Sequence, residues 1–298
     1  MLDRERSNNT SYFKYFMILL YAVSFSLYLY FVYDGISFYW AEPAKRVHHE
    51  LYRNLRPAGF RGHAFGIWGT FLMLIMLLYS ARKRFHSLRN FFPLSHWLQL
   101  HIFCGVMGPL LIILHTAFKV QGLVALSFWS MIAVAGSGIL GRYLYIQIPR
   151  TLGGEELSEA EISKTEEQLQ LELQREFLLT TTDIQNIESI YLAGINLQRG
   201  TIPLLLGLLL SDILRPFRLR KFHSLLKKKT KLTDTALAQA FDLIKRKALL
   251  HRRSIILERV QQLFHYWHVI HKPFALVMYL ILVVHVGIAI WMGYTWIF

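Results

Sequence analysis

LQLHIFCGVMGPLLIILHTAF, residues 98 to 118, is an apolar run about long enough to cross a bilayer, yet it carries two histidines, His101 and His115. An imidazole in hydrocarbon costs free energy unless a partner binds it, so intramembrane histidines are read first as functional candidates. Fourteen residues separate the two. At about 1.5 Å and 100° per residue, that spacing advances roughly 21 Å and returns to within about 40° of the starting face. The same spacing recurs in HKPFALVMYLILVVH, between His271 and His285. Each run therefore presents two imidazoles on one stripe, near opposite leaflets.

Composition sets the class around these runs. The 298 residues are 54% hydrophobic, with a mean hydropathy of +0.33, above ordinary soluble domains. The chain is expected to be an all-α membrane protein with about five transmembrane helices, since about 20 apolar residues are needed per crossing. The expected spans are Phe13 to Tyr33, His63 to Ser80, His96 to Phe118, Gly122 to Ile146 and His271 to Phe298. The first is too long for a signal peptide and lacks a small-residue cleavage site, so it is expected to remain as an anchor. Lys119, Val120 and Gln121 leave a short connection that makes spans three and four an antiparallel hairpin. The single cysteine, Cys104, excludes an intrachain disulfide framework, a cysteine-held iron–sulfur centre and thioether-linked haem.

Between the fourth and fifth spans lie more than a hundred mostly polar residues. The expected division is residues 1–147 for four transmembrane helices, 148–262 for a helical cytoplasmic insertion, and 263–298 for the last helix, which completes a four-helix bundle. SEAE, from Ser158 to Glu161, is a capping box opening a helix to about Leu178. A second helix is expected near Asp183 to Leu192. TIPLLLGLLLSDIL is too short to span and is followed by RPFRLRKFHSLLKKK, which leaves two readings, a helix in the membrane interface or the buried helix of a small domain. From Thr233 a helical pattern runs towards the fifth span.

The formal net charge of +14 points to anionic lipid headgroups, not to nucleic acid, because the lysines and arginines cluster beside spans. With the N-terminus inside, thirteen lysines and arginines, among them Arg82, Lys83, Arg84, Arg142, Arg150, Arg252 and Arg253, lie in the cytoplasm, and they outnumber the outer six, Lys45, Arg46, Arg53, Arg56, Arg61 and Lys119. This orientation places the protein in the inner (cytoplasmic) membrane as a multi-pass chain, its N-terminus and insertion cytoplasmic and its C-terminus outside. Spans three and five are then parallel, so they can face each other with His101 meeting His271 and His115 meeting His285. Each facing pair could clamp a planar macrocycle through its metal, and bis-histidine ligation favours electron transfer over oxygen chemistry. Gly105 and Gly108 share the stripe of His101, where a missing side chain admits either a porphyrin edge or a neighbouring helix backbone. GSGILGR in span four offers the same choice. His63 begins span two, where it reads as an interfacial residue or a further cofactor contact, while His96, His265 and His268 sit at inner span boundaries.

With these residues in view, the two spans resemble those of di-haem transmembrane cytochromes b, the four-helix superfamily of bc-type cytochrome b subunits and ferric-reductase-like membrane proteins. HYWHVIHKPFALVMYLILVVHVGIAIW, residues 265 to 291, is similar to the last haem span of the latter group. The resemblance covers residues 63–147 and 265–298. It implies two b haems, with His101, His115, His271 and His285 as metal-binding axial ligands and Arg142 neutralising a propionate. The chain departs from that family in its long insertion and in lacking a G-x-G-x-x-G dinucleotide fingerprint after a strand.

The expected function is that of an electron conduit, an electron-transfer subunit of a respiratory or photosynthetic oxidoreductase complex. Quinone or quinol is the expected lipid-soluble electron partner, and the insertion a docking surface for other subunits, a cytochrome or an iron–sulfur or flavin protein. Two alternatives stand beside it. One is a ferric-reductase-like protein fed by a separate flavoprotein. The other is a non-redox scaffold or transporter subunit, against which counts the lack of any Asp or Glu in spans three and five.

Overall fold

A computed structural model describes residues 2–88, 91–150, 156–177, 179–198, 200–229 and 233–294. The described residues form nine α-helices and two short 3₁₀ turns with no strand, and five stretches are long and apolar enough to span a membrane. The chain is an all-α, multi-pass membrane protein. The helices are α1 (Leu2–Trp40), α2 (Tyr52–Leu55), α3 (Phe60–Arg84), α4 (Leu94–Thr116), α5 (Gly122–Gln147), α6 (Glu159–Phe177), α7 (Thr181–Leu192), α8 (Thr201–Lys229) and α9 (Asp234–Trp291). They divide into two compact units, residues 1–140 with 268–298, and residues 141–267.

In the first unit, α3 and α4 pack antiparallel through their smallest residues. A Cβ on Gly69 would stand 3.1 Å from the Gly108 carbonyl oxygen, and one on Gly108 would stand 3.3 Å from that of Gly69. Close backbone approach of this kind is how helices associate in lipid, where burial of apolar surface offers little driving force. α4 persists through Pro109 and stops at Ala117 and Phe118, both in the left-handed region. Gly122, with φ +65°, then opens α5. Arg46 steadies this reversal by donating from Nη1 to the Ala117 carbonyl at 2.6 Å. α1 runs alongside α4, with Phe13 stacked on His96 at 3.7 Å, Tyr21 edge-on to Phe103, and the Tyr39 hydroxyl directed at the Leu114 carbonyl.

α5 and the last part of α9 are antiparallel, because Ser127 donates to the Met278 carbonyl at 3.1 Å while Ser137 bonds His271. Tyr279 ties α9 to α3 by donating to the Met73 carbonyl at 2.6 Å. Met73, Met131 and Met278 form a buried layer joining α3, α5 and α9. Met278 is midway in sequence between His271 and His285, as Gly108 is between His101 and His115. The methionine layer thus lies roughly 10 Å along the helix axes from each histidine level. The fifth span ends its helix at Trp291, and its expected continuation over 295–298 lies outside the described residues.

The second unit is organised around a conventional hydrophobic core of Leu173, Ile184, Ile187, Leu237, Ile244 and Ala248. The Ser158–Glu161 capping box forms as read, with the Ser158 backbone N–H donating to Glu161 Oε2 at 2.8 Å and the Glu161 N–H donating to Ser158 Oγ at 3.3 Å. Leu178, the expected end of that helix, is outside the described residues. The unit begins at Gly141, earlier than the composition break near residue 147 suggests. The reason is polar packing. Tyr143 and Gln147 of the last turns of α5 both donate to Asp212 Oδ2, at 2.8 and 2.9 Å, and the fully buried Arg252 reaches Gln147 Oε1 at 2.9 Å and Asp212 at 3.0 Å.

Candidate functional site

All four of the matched histidines lie within the first unit. His115 and His285, from α4 and α9, line one cavity of about 740 Å³ together with His63, Gly66, Ile112, Leu282 and Lys119. That volume lies within the range of ordinary cofactor pockets. Its described lining is mainly apolar and includes no carboxylate. At the other level, His271 lies within electrostatic reach of His101 and His268.

The hydrogen bonds at the rings decide which nitrogen can act as a ligand. His115 Nδ1 lies 2.8 Å from the Gly62 carbonyl oxygen, and His101 Nδ1 lies 3.2 Å from that of Met76. A carbonyl can only accept, so both Nδ1 atoms carry the proton and both Nε2 atoms keep their lone pairs. His271 reaches the same state by another route. The Ser137 hydroxyl, 2.7 Å from His271 Nδ1, also donates its one hydrogen to the Val134 carbonyl at 2.9 Å, and so accepts from the ring. Fixing the tautomer through the far nitrogen is how proteins orient metal-binding histidines. Gly66 lies against the His115 ring, since a Cβ there would meet His115 Nδ1 at 2.7 Å.

Of the remaining sequence-selected residues, only some meet the cavity. Gly108 contacts Gly69 and Met73, and Gly105 faces Met76, so these two glycines serve the approach of α3 to α4. In GSGILGR, Gly136 and Gly138 flank Ser137 with no atom within 4 Å of a Cβ, whereas Gly141 abuts the Trp267 ring. Arg142 belongs to the second unit, its guanidinium 5.6 Å from the Tyr145 ring centroid. His63 is a wall of the cavity shared by His115 and His285 and an electrostatic neighbour of His115. His96 is buried against Phe13.

Sequence reading missed Gly66, Ser137 and the carbonyl acceptors of Gly62 and Met76. Gly62, Gly66 and Gly69 form a small-residue stripe that marks a close helix contact, and this signal was available in GHAFGIWG. A backbone carbonyl acceptor leaves no mark in residue identity. No protein-family model, curated protein or solved structure matches the chain.

Proposed function

We propose that this chain is a transmembrane electron-transfer subunit of the di-haem cytochrome b type, holding one b haem between His115 and His285 and another between His101 and His271. The observation that carries the reading is that α4 and α9 bring His115 and His285 onto one cavity and His271 within electrostatic reach of His101, with three of the four rings fixed as Nδ1–H tautomers. The donor chemistry fits the cofactor. Among the described residues no three His, Cys, Asp or Glu side chains converge to hold a bare ion. A macrocyclic metal supplies its own equatorial ligands and asks the protein for two axial nitrogens only. When bound, such a haem supplies reversible one-electron chemistry.

The chain's own contribution is positional and electrostatic. The Gly62 and Met76 carbonyls and the Ser137 hydroxyl hold the rings and raise their basicity as ligands. The buried Met73, Met131 and Met278 make the space between the two levels apolar. Lys119 on the cavity wall offers a cation to an anionic cofactor edge. Arg142 is assigned no such part, since nothing in its surroundings adds to the resemblance that suggested it. The distribution of lysines and arginines supports placement in the inner membrane with the N-terminus and the 141–267 unit cytoplasmic. Quinol and a redox partner subunit are the exchange partners in this reading.

The test is a reduced-minus-oxidised visible spectrum of the purified full chain, with pyridine haemochrome quantification. About two b haems per chain is the expected result for the bis-histidine pairs. A folded protein that binds none, even when expressed with added hemin, overturns the reading in favour of a non-redox scaffold.

A further inference from the structure

Helix α8 divides its apolar residues between two faces. Leu204, Leu208 and Ser211 are buried in the second unit. Ile202, Leu206, Leu210, Ile213 and Phe217 are instead between 57 and 71% exposed. At 100° per residue these five fall within an arc of about 80°, and the stripe runs roughly 22 Å along the helix. Single exposed hydrophobic residues are ordinary, but a contiguous stripe of five large ones marks a surface that meets something apolar.

The rotation of this helix is pinned. Arg215 pairs with Asp212 at 3.3 Å, and Asp212 also receives Tyr143, Gln147 and Arg252. Arg218 donates from Nη1 to the Ala193 carbonyl at 3.0 Å. These inward bonds hold the apolar stripe outward. The stripe ends at the exposed Arg220, which shares its azimuth, and the sequence then continues through Lys221 to Lys227, Lys228 and Lys229. An apolar face running into a cationic end is the pattern of a helix lying in a membrane interface beside anionic headgroups. The apolar segment before Asp212 is too short to cross a bilayer.

We propose that α8 is a monotopic membrane-surface helix, its Ile202–Phe217 stripe immersed at the headgroup–acyl boundary and Arg220 placed among anionic phosphates. The bilayer is the occupant favoured here because the chain is already membrane-embedded, and because the stripe joins apolar surface to positive charge in the order that a leaflet presents. This inference rests on the membrane character of the chain and is independent of haem binding.

The experiment uses the full chain in nanodiscs containing phosphatidylglycerol. In a Cys104→Ser background, nitroxides are attached at Leu206→Cys, Ile213→Cys and, as a water-exposed reference on α7, Gln185→Cys. Power-saturation EPR then compares collisions with oxygen and with a water-soluble nickel chelate. The expected result is a several-fold higher oxygen-to-nickel accessibility ratio at 206 and 213 than at 185. Water-like ratios at all three positions overturn the proposal, and so does low access to both reagents at 206 and 213, which marks a protein partner or a second copy on this face.

Discussion

The His115–His285 and His101–His271 pairs, outer and inner in the proposed topology, share one sequence spacing and differ in how the rings are supported. At the outer level His115 bonds a backbone carbonyl, rests beside a glycine, and faces a cavity shared with His63 and His285. At the inner level one ring again bonds a carbonyl, but His271 depends on the Ser137 side chain. A backbone acceptor survives any substitution that keeps the helix, whereas a hydroxyl is removed by one atom's change. The outer level is therefore vulnerable to crowding and the inner level to deletion.

The strongest break in that comparison is His115→Ala. In the proposed reading, haem content by pyridine haemochrome falls from about two to about one per chain, the inner centre remaining low-spin. Next comes Gly66→Val, whose side chain occupies the place of the His115 ring. It is expected to abolish the outer low-spin EPR signal and to leave the inner one unchanged. Equal losses at both levels would mean that the bundle as a whole had been disturbed.

Ser137→Ala has a smaller effect of the complementary kind. Loss of the acceptor for His271 weakens inner haem retention about 10- to 100-fold, as removal of an orienting partner does at metal sites, and hemin titration reads it. Ser137→Thr retains the hydroxyl and is expected to retain the haem. His63→Ala leaves both haems bound and shifts the midpoint potential of the outer one alone, which potentiometric titration resolves.

The smallest effect lies away from both pairs. Hydrogen bonds from the Ser158 backbone and hydroxyl hold the Glu161 carboxyl below its ordinary value. The α6 cap is therefore complete at neutral pH and is lost as the pH falls through that lowered value, because the protonated acid no longer attracts its donors. Glu161→Gln should flatten this acid-side loss of helicity in circular dichroism while haem content stays unchanged.

The spans, the capping box and the matched histidine spacing were legible because each is a periodic or local property of the chain. Of the two readings of TIPLLLGLLLSDIL, the structure shows burial of one apolar face of α8 and leaves a second apolar face exposed. Residue order along one helix does not say which of two apolar faces meets the rest of its unit. The unit boundary at Gly141 was hidden for a related reason, because the partners of Tyr143 and Gln147 are 65 or more residues away.

By itself, the sequence determined that this is an all-helical membrane chain and that its four intramembrane histidines fall on two stripes, because hydrophobic length and a helical repeat are fixed by residue order. Tertiary structure decided that His115 and His285 share one cavity, that Gly108 packs against Gly69 and Met73, and that Gly62, Met76 and Ser137 choose the tautomers. Those outcomes depend on which backbone atoms of one helix come within about 3 Å of another helix's side chains, the range of a hydrogen bond. Only packing of the whole bundle sets that distance.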